Sequence, residues 1–398
     1  MRRLLPVLAL LCVFCTANAQ ELPSCARPDS SFLRQPGAGV RMERFRARLK
    51  ACADFPDSSV TIWHIGGSHV QAGHFSSRMR DNFDSLGRYP SAGRGYIFPY
   101  PLAHTNFDRS YNVSIEGEWQ GSRSSNPNRK LPVAPSWGIM GIAAYTADTT
   151  ARFALGTPDT FSRLRILGHA SPDVELLVIS GADTLRCEPD TLLQGYTVEF
   201  PIPVDSVEVL PMLKAGEYFC LTGLLPEYPG RSGVSYVSTG VNGARTTTWT
   251  ERCPEFEREM ALVQPDLVIL GLGINDAACP AKDFKPEKFK NNYRKLLDII
   301  LDATPGCALV FVTNNDSWRH AGRRMVHNDN GAAVERAMFE LAEEYDGAVW
   351  DLFEIMGGNG SATAWRDAGL MKKDRLHFTR EGYRLLGDML YAAIMEED

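Results

Sequence analysis

The chain has 398 residues, 42 Lys+Arg against 48 Asp+Glu, and a formal net charge of −6. That acidic balance, with no run of Lys or Arg to offset it, excludes a nucleic-acid-binding surface as the main feature of the molecule. With 44% hydrophobic and 23% charged residues, the composition is that of a soluble globular protein of one or two domains with material for a large core.

The first residues, MRRLLPVLALLCVFCTANA, join Arg2 and Arg3 to an apolar run and close on Ala17-Asn18-Ala19, the small-x-small pattern of a secretory cleavage site. The apolar run is shorter than the roughly 20 residues a bilayer span needs. Leu11 and Phe14 are bulky for a lipoprotein signal at Cys12 or Cys15. The expectation is a signal peptide over 1–19, a mature chain starting at Gln20, and a periplasmic or secreted location with no stable membrane span. Loss of Arg2 and Arg3 with the leader takes the net charge from −6 to −8.

Seven cysteines follow the leader, and an exported chain sits where disulfides persist. Candidate bridges join Cys25 to Cys52, Cys187 to Cys220 and Cys253 to Cys279, with Cys307 as a buried thiol. No C-x-x-C occurs, so neither a zinc knuckle nor a thioredoxin-like site is supported.

Four apolar runs read as buried strands: VTIWHI (60–65), VSYVST (234–239), DLVILGLG (266–273) and ALVFVT (308–313). Helical periodicity follows in PEKFKNNYRKLLDIILDA, where Phe289, Tyr293, Leu296, Leu297, Ile300 and Leu301 share one face. It recurs in GAAVERAMFELAEEY and in the last helix, on Tyr383, Leu386, Met389, Leu390 and Ala393. Strands alternating with helices imply an α/β fold, a three-layer α/β/α arrangement around a parallel sheet. Ligands of such sheets bind beyond the carboxyl ends of the strands, which is where Ser68 and Asn275 fall.

Residues 96–232 break the alternation. Short stretches such as RFALG, FSRLRILG, VELLVIS and YTVEFPIP suit antiparallel strands. An inserted β-rich, sandwich-like module over 145–232 is expected, with carbohydrate binding as its candidate role. It divides the α/β domain into 20–144 and 233–398.

A serine hydroxyl is a poor nucleophile until a base takes its proton, and the base needs a partner to orient its ring. In HIGGSHVQAG, Gly66 and Gly67 let the chain turn out of a strand so that Ser68 projects from its end. In KKDRLHFTREGY, Asp374 and His377 are three apart, so a tight turn can present both to one side. In GLGINDAAC, Asn275 follows a buried strand and its amide can donate to an oxyanion. In STGVNGARTTTW, Gly243 can offer a backbone N–H.

These four segments, in this order, resemble the SGNH (GDSL) serine hydrolases, and the resemblance covers about 60–95 and 233–398. It implies a flavodoxin-like α/β/α fold, Ser68 as nucleophile, and His377 as base oriented by Asp374. It also implies an oxyanion hole made of the Ser68 backbone N–H, Gly243 and Asn275. The G-x-S-x-G elbow of the α/β-hydrolases is absent, since Val70 stands where its second glycine would be. The family's usual residue before the serine is aspartate, and here it is Gly67. That aspartate is not the triad carboxylate, so the base and its orienter remain.

No cofactor and no metal are expected. His64, His69 and His74 surround Ser68 but have no carboxylate at ligand spacing. Asp276 reads as a structural partner for loop N–H groups. Arg245, Trp249 and Tyr96 are candidate sugar contacts. An exported SGNH domain interrupted by a β-rich module, with H-x-G-G-S-H-x-Q around the serine, is similar to the peptidoglycan O-acetylesterases of the bacterial periplasm. The reading is therefore an exported esterase that removes small acyl groups from a glycan, with an acetylated glycan as partner. Acetyl-xylan or another polysaccharide is the alternative substrate, and a non-catalytic glycan-binding protein is the alternative class.

Overall fold

A computed structural model describes residues 21–55, 58–85, 89–107, 109–126 and 128–396. The leader expected over 1–19 lies outside the described residues. Among the described residues, no helix is long and apolar enough to cross a membrane.

The chain opens with β1 (Leu33–Arg34), α1 (Val40–Asp54), β2 (Ser59–Gly66), α2 (Ser68–Gln71) and α3 (His74–Ser85). An antiparallel section follows: β3 (Asn112–Glu116), β4 (Gln120–Arg123), β5 (Ile142–Thr146), β6 (Arg152–Ala170), β7 (Glu175–Ser180), β8 (Asp183–Arg186), β9 (Glu188–Asp190), β10 (Gly195–Met212) and β11 (Phe219–Glu227). The α/β pattern resumes with β12 (Gly233–Gly240), α4 (Thr248–Arg252), α5 (Phe256–Val263), β13 (Leu267–Gly271), α6 (Pro286–Ala303) and β14 (Ala308–Val312). It ends with β15 (Trp318–Ala321), β16 (Arg324–His327), α7 (Gly331–Glu344), β17 (Ala348–Trp350), α8 (Leu352–Met356), α9 (Ser361–Asp367) and α10 (Arg380–Met395).

The first sheet runs β1-β17-β14-β13-β2-β12, parallel except for β1. Its strands β13, β14 and β17 are apolar throughout because both faces are covered. Successive residues serve opposite cores: Ile62, Ile269 and Val310 pack toward α1, α3 and α10. Trp63, Ile65, Val268, Leu270 and Phe311 pack toward α5, α6 and α7. This is the expected three-layer architecture.

The second sheet is antiparallel, ordered β4-β5-β11-β6-β10-β7-β8, with β3 added on β6 and β9 on β10. The pairing of β6 with β10 is interrupted by register shifts around Val204, the places where such long strands bend. The sheet takes in strands from Asn112 onward, ahead of the 145 boundary expected from composition. NVSIE alternates over only two apolar residues, Val113 and Ile115, and QGSR has none, so neither stretch was long or apolar enough to mark a strand. Nor does it stand apart from the α/β domain: Trp63 and Val268 share one continuous apolar cluster with Leu164, Val198 and Leu224.

All seven cysteines from Cys25 to Cys307 are free thiols, which corrects the three expected bridges. Cys220 lies on β11, with β6 and β10 between it and the β7 edge where Cys187 bonds to Leu176. At roughly 4.8 Å per strand, that gap exceeds the reach of a disulfide.

Candidate active site

The carboxyl ends of β2, β12 and β13 lie side by side, because Gly66 pairs with both Gly240 and Gly271. Three loops therefore emerge together: Gly67–Ser68 after β2, Val241–Thr246 after β12, and Leu272–Asp276 after β13. Gly66 is confined by its neighbours, since a Cβ there would strike the Val70 side chain and meet the Gly271 carbonyl oxygen at 3.0 Å. Gly67 has φ −90° and ψ −140°, so no left-handed conformation demands glycine. A Cβ there would lie 3.3 Å from Asn275 Nδ2, a contact tight enough that the amide must shift by a few tenths of an ångström to admit it.

Ser68 opens α2, and its Oγ lies 2.8 Å from His377 Nε2. His377 Nδ1 in turn lies 2.8 Å from Asp374 Oδ2. The D-x-x-H turn is closed by the N–H groups of Leu376 and His377, both donating to Asp374 Oδ1 at 3.0 Å. Burial alone would raise the Asp374 carboxyl, but the hydrogen bonds from the His377 ring and from these two N–H groups outweigh it. They hold Asp374 well below the usual carboxylate range, hence ionised. With Nδ1–H committed to Asp374, Nε2 carries the lone pair that faces the serine.

Gly243 has φ +81°, a left-handed conformation that favours glycine. The peptide that carries its N–H is held by its other end: Ser125 Oγ donates to the Asn242 carbonyl at 2.6 Å. Buried Gln71, one turn after Ser68, accepts the Asn242 N–H at 2.6 Å and donates to Thr105 Oγ1 and the Asn106 carbonyl. The Asn275 amide donates to the Ala244 carbonyl at 2.9 Å, which leaves its second hydrogen for a ligand. Asp276 has the structural role expected, accepting from Thr246 N–H and Oγ1 and so tying the two loops together.

The surrounding histidines are occupied. His64, fully buried, lies 2.9 Å from Tyr236 Oη, and burial pushes it down to about 3. His69 bonds Tyr383 Oη at 2.7 Å, and desolvation, then the adjacent His377, push it down to about 3. A neutral His69 places no charge against the imidazolium that forms on His377 during proton transfer. Trp249 and Tyr96 are not sugar contacts: they are 1% and 2% exposed, and Trp249 Nε1 donates to the buried Ile139 carbonyl. Arg245 is exposed beside Gly243 and remains available. Gln71 and Ser125 were not singled out in the sequence. The first carried a weak signal in its position three residues after Ser68, and the second carried none.

The site is open to solvent, with His377 and Asp374 side chains 29% and 40% exposed. A polarised hydroxyl and an oriented imidazole, with the Gly243 N–H and the Asn275 amide on the adjacent loops, suit acyl transfer at Ser68.

Residues 214–385 match the GDSL-like Lipase/Acylhydrolase family, a span that holds Gly243, Asn275, Asp374 and His377. Ser68 lies outside it in sequence and joins it in space. Among solved structures, a peptidoglycan O-acetylesterase is similar over 91% of this chain and 97% of its own, at 20% identity and a TM-score of 0.70. Coverage that wide takes in the antiparallel sheet as well as the parallel one. An acetyl xylan esterase, AlAXEase, is similar over 41% of this chain and 82% of its own, at 16% identity and a TM-score of 0.33. A family two carbohydrate esterase from Cellvibrio japonicus is similar over 71% and 99%, at 14% identity and a TM-score of 0.30. No curated protein sequence matches the chain.

Proposed function

We propose that this chain, which matches the GDSL-like Lipase/Acylhydrolase family over residues 214–385, is an SGNH-type esterase that removes O-acetyl groups from an exported glycan, peptidoglycan first, with Ser68 as nucleophile. The observation that carries the reading is the relay of two 2.8 Å contacts from Ser68 Oγ through the His377 ring to Asp374. Ser68 Oγ attacks the acetyl carbonyl while His377 Nε2 takes its proton. The tetrahedral oxyanion is held by the N–H groups of Ser68 and Gly243 and the free hydrogen of Asn275. His377 then protonates the leaving sugar hydroxyl, giving an acetyl-Ser68 intermediate. Water, deprotonated by the same nitrogen, releases acetate.

Peptidoglycan is favoured as substrate by the shared fold of a peptidoglycan O-acetylesterase across both sheets. The leader-like segment 1–19 favours export. The open site favours a polymer-borne ester over a long buried acyl chain.

The test is acetate release from O-acetylated peptidoglycan, acetylated xylan and a small acetyl ester, by the wild type and by Ser68→Ala. The variant should lose several orders of magnitude in kcat on every substrate while keeping its fold. Turnover near wild type in the variant would remove Ser68 from the mechanism. Faster wild-type release from xylan than from peptidoglycan would overturn the substrate.

A further inference from the structure

The hairpin β15–β16 grows from the carboxyl end of β14 and has the sequence WRHAGRRMVH, with three arginines, two histidines and no acidic residue. Its turn is built at Gly322, whose φ of +61° suits the first central position of a two-residue hairpin turn. The base stands between the two loops that form the site. On one side the Trp318 N–H donates to the Arg375 carbonyl at 3.0 Å, and the Arg375 guanidinium lies 3.4 Å from the Trp318 ring centroid. Arg375 belongs to the Asp374–His377 turn, and Asn315 Nδ2 bonds Leu376 of the same turn. On the other side Asn330, just past β16, donates to the carbonyls of Ala277 and Cys279 in the loop that carries Asn275. Arg319 and Arg245 both lie close enough to the Cys279 thiol to oppose the rise that burial causes there.

The base is also rigid. His327 is held between Asp316 and Asp329 at 2.7 and 2.8 Å, and buried Asp316 accepts the Ala362 N–H. The tip is not tied down: His320, Arg323 and Arg324 are exposed. Lys372 and Lys373 are also exposed, on the stretch of chain that leads into Asp374 and, through Arg375, meets the hairpin base. Among the described residues, Arg319, Arg323, Arg324, Lys372, Lys373 and Arg375 form no ion pair, although the chain carries a net negative charge. Unpaired cations of one sign, gathered beside a catalytic serine on an acidic protein, attract an anion to that place.

We propose that this hairpin, with Lys372 and Lys373, is a binding arm for carboxylate groups on the glycan, so that the esterase selects an acidic polymer over a neutral one. The inference rests on the esterase reading of Ser68 and adds the charge class of its substrate. Four residues of strand span roughly 13 Å, so a rigid base beside the Asp374–His377 turn gives Arg323 and Arg324 the reach to meet sugar units beyond the one whose ester lies at Ser68. Guanidinium groups suit this role because their planar donor pairs match carboxylates.

The test compares glycan strands bearing muramic acid carboxylates with the same strands after amidation of those carboxylates. Both are stripped of acetyl groups so that binding is read without turnover. The full-length wild type should bind the acidic strands about tenfold tighter than the amidated ones at low salt, the sum expected of a few exposed charge pairs, and high salt should erase the difference. The triple variant Arg319→Gln, Arg323→Gln, Arg324→Gln should lose most of the difference, and adding Lys372→Gln and Lys373→Gln should make it bind the two alike. Hydrolysis of a small acetyl ester, too short to reach the tip, reports that the variant is folded with its triad in place. Equal wild-type affinity for both strands, or a preference that is undiminished in the triple variant or survives in the quintuple one, would overturn the arm. Failure of the wild type to hydrolyse any ester would instead overturn the esterase reading, and the binding comparison would still decide the arm.

Discussion

Asn275 is the residue whose role the structure states most narrowly. Its amide has two hydrogens, and one is fixed by the Ala244 carbonyl at 2.9 Å. The second hydrogen has no partner among the described residues, and the amide nitrogen lies 3.3 Å from where a Cβ of Gly67, the neighbour of Ser68, would stand. A donor aimed at charge that exists only in the tetrahedral state should act on kcat. Removal of one such donor costs about 10² to 10³ in kcat, or roughly 3–4 kcal/mol. Asn275→Ala should show that loss with KM within about threefold of wild type. The same change orphans the Ala244 carbonyl, which costs about 1–3 kcal/mol of stability and lowers Tm by a few degrees. Asn275→Asp keeps the shape but supplies no hydrogen, and its charge opposes the oxyanion, so its kcat should be no higher than that of Asn275→Ala. The assay is initial-rate kinetics on a small acetyl ester beside a thermal melt of each variant. A rise in KM with kcat preserved would show that Asn275 only holds substrate, and an active Asn275→Asp would remove it from the oxyanion hole.

Three further outcomes are expected. Ser125→Ala frees the Asn242–Gly243 peptide by one hydrogen bond worth about 1 kcal/mol, so kcat should fall roughly fivefold with KM steady, and Ser125→Thr should restore it; a change in KM alone would deny the link to Gly243. Burial pushes Glu259 up to about 8 from an unfolded value near 4.5, so the folded state holds an extra proton between them, and stability should fall as pH rises through that window. Glu259→Gln should flatten that slope by an amount on the order of a few kcal/mol, read as Tm from pH 5 to pH 9, and an unchanged slope would refute the assignment. Gly67→Asp should lower both kcat and Tm because the new side chain meets the Asn275 amide, and a variant both faster and more stable would show the space to be free.

The parallel sheet was legible because its strands are buried on both faces, and an unbroken apolar run such as ALVFVT has few other uses. β17 was not, since Ala348–Trp350 is too short to show a period. The antiparallel sheet was legible in its apolar strands and misjudged at its start, where β3 and β4 are largely polar and are recruited by pairing with β6 and β5. The cysteine pairing failed for a related reason. An odd count and an export signal describe a compartment, whereas a bridge needs two Cβ atoms within reach, and only the strand order supplies that distance. Trp249 was a candidate sugar contact because it follows a loop of the site. Its indole N–H instead finds a carbonyl at the start of the antiparallel section, a partner 110 positions away.

Residue 67 marks the limit of reading a site one position at a time. From the sequence, glycine in place of the family's aspartate reads as a lost brace for the turn, and hence as a weaker enzyme. In the structure, the loops around Ser68 are already braced. Asp276 joins the Gly243 loop to the Asn275 loop, Gln71 holds the Asn242 N–H, and Ser125 holds the Asn242 carbonyl. None of these residues is adjacent to residue 67 in the chain, and two of them had no other reason to be noticed. A carboxylate at 67 would find no loop left to tie. The nearest donor to it would be the Asn275 hydrogen that the oxyanion requires. Glycine is therefore consistent with a working oxyanion hole here, because the bracing is spread over three side chains and the space beside residue 67 is left to the amide.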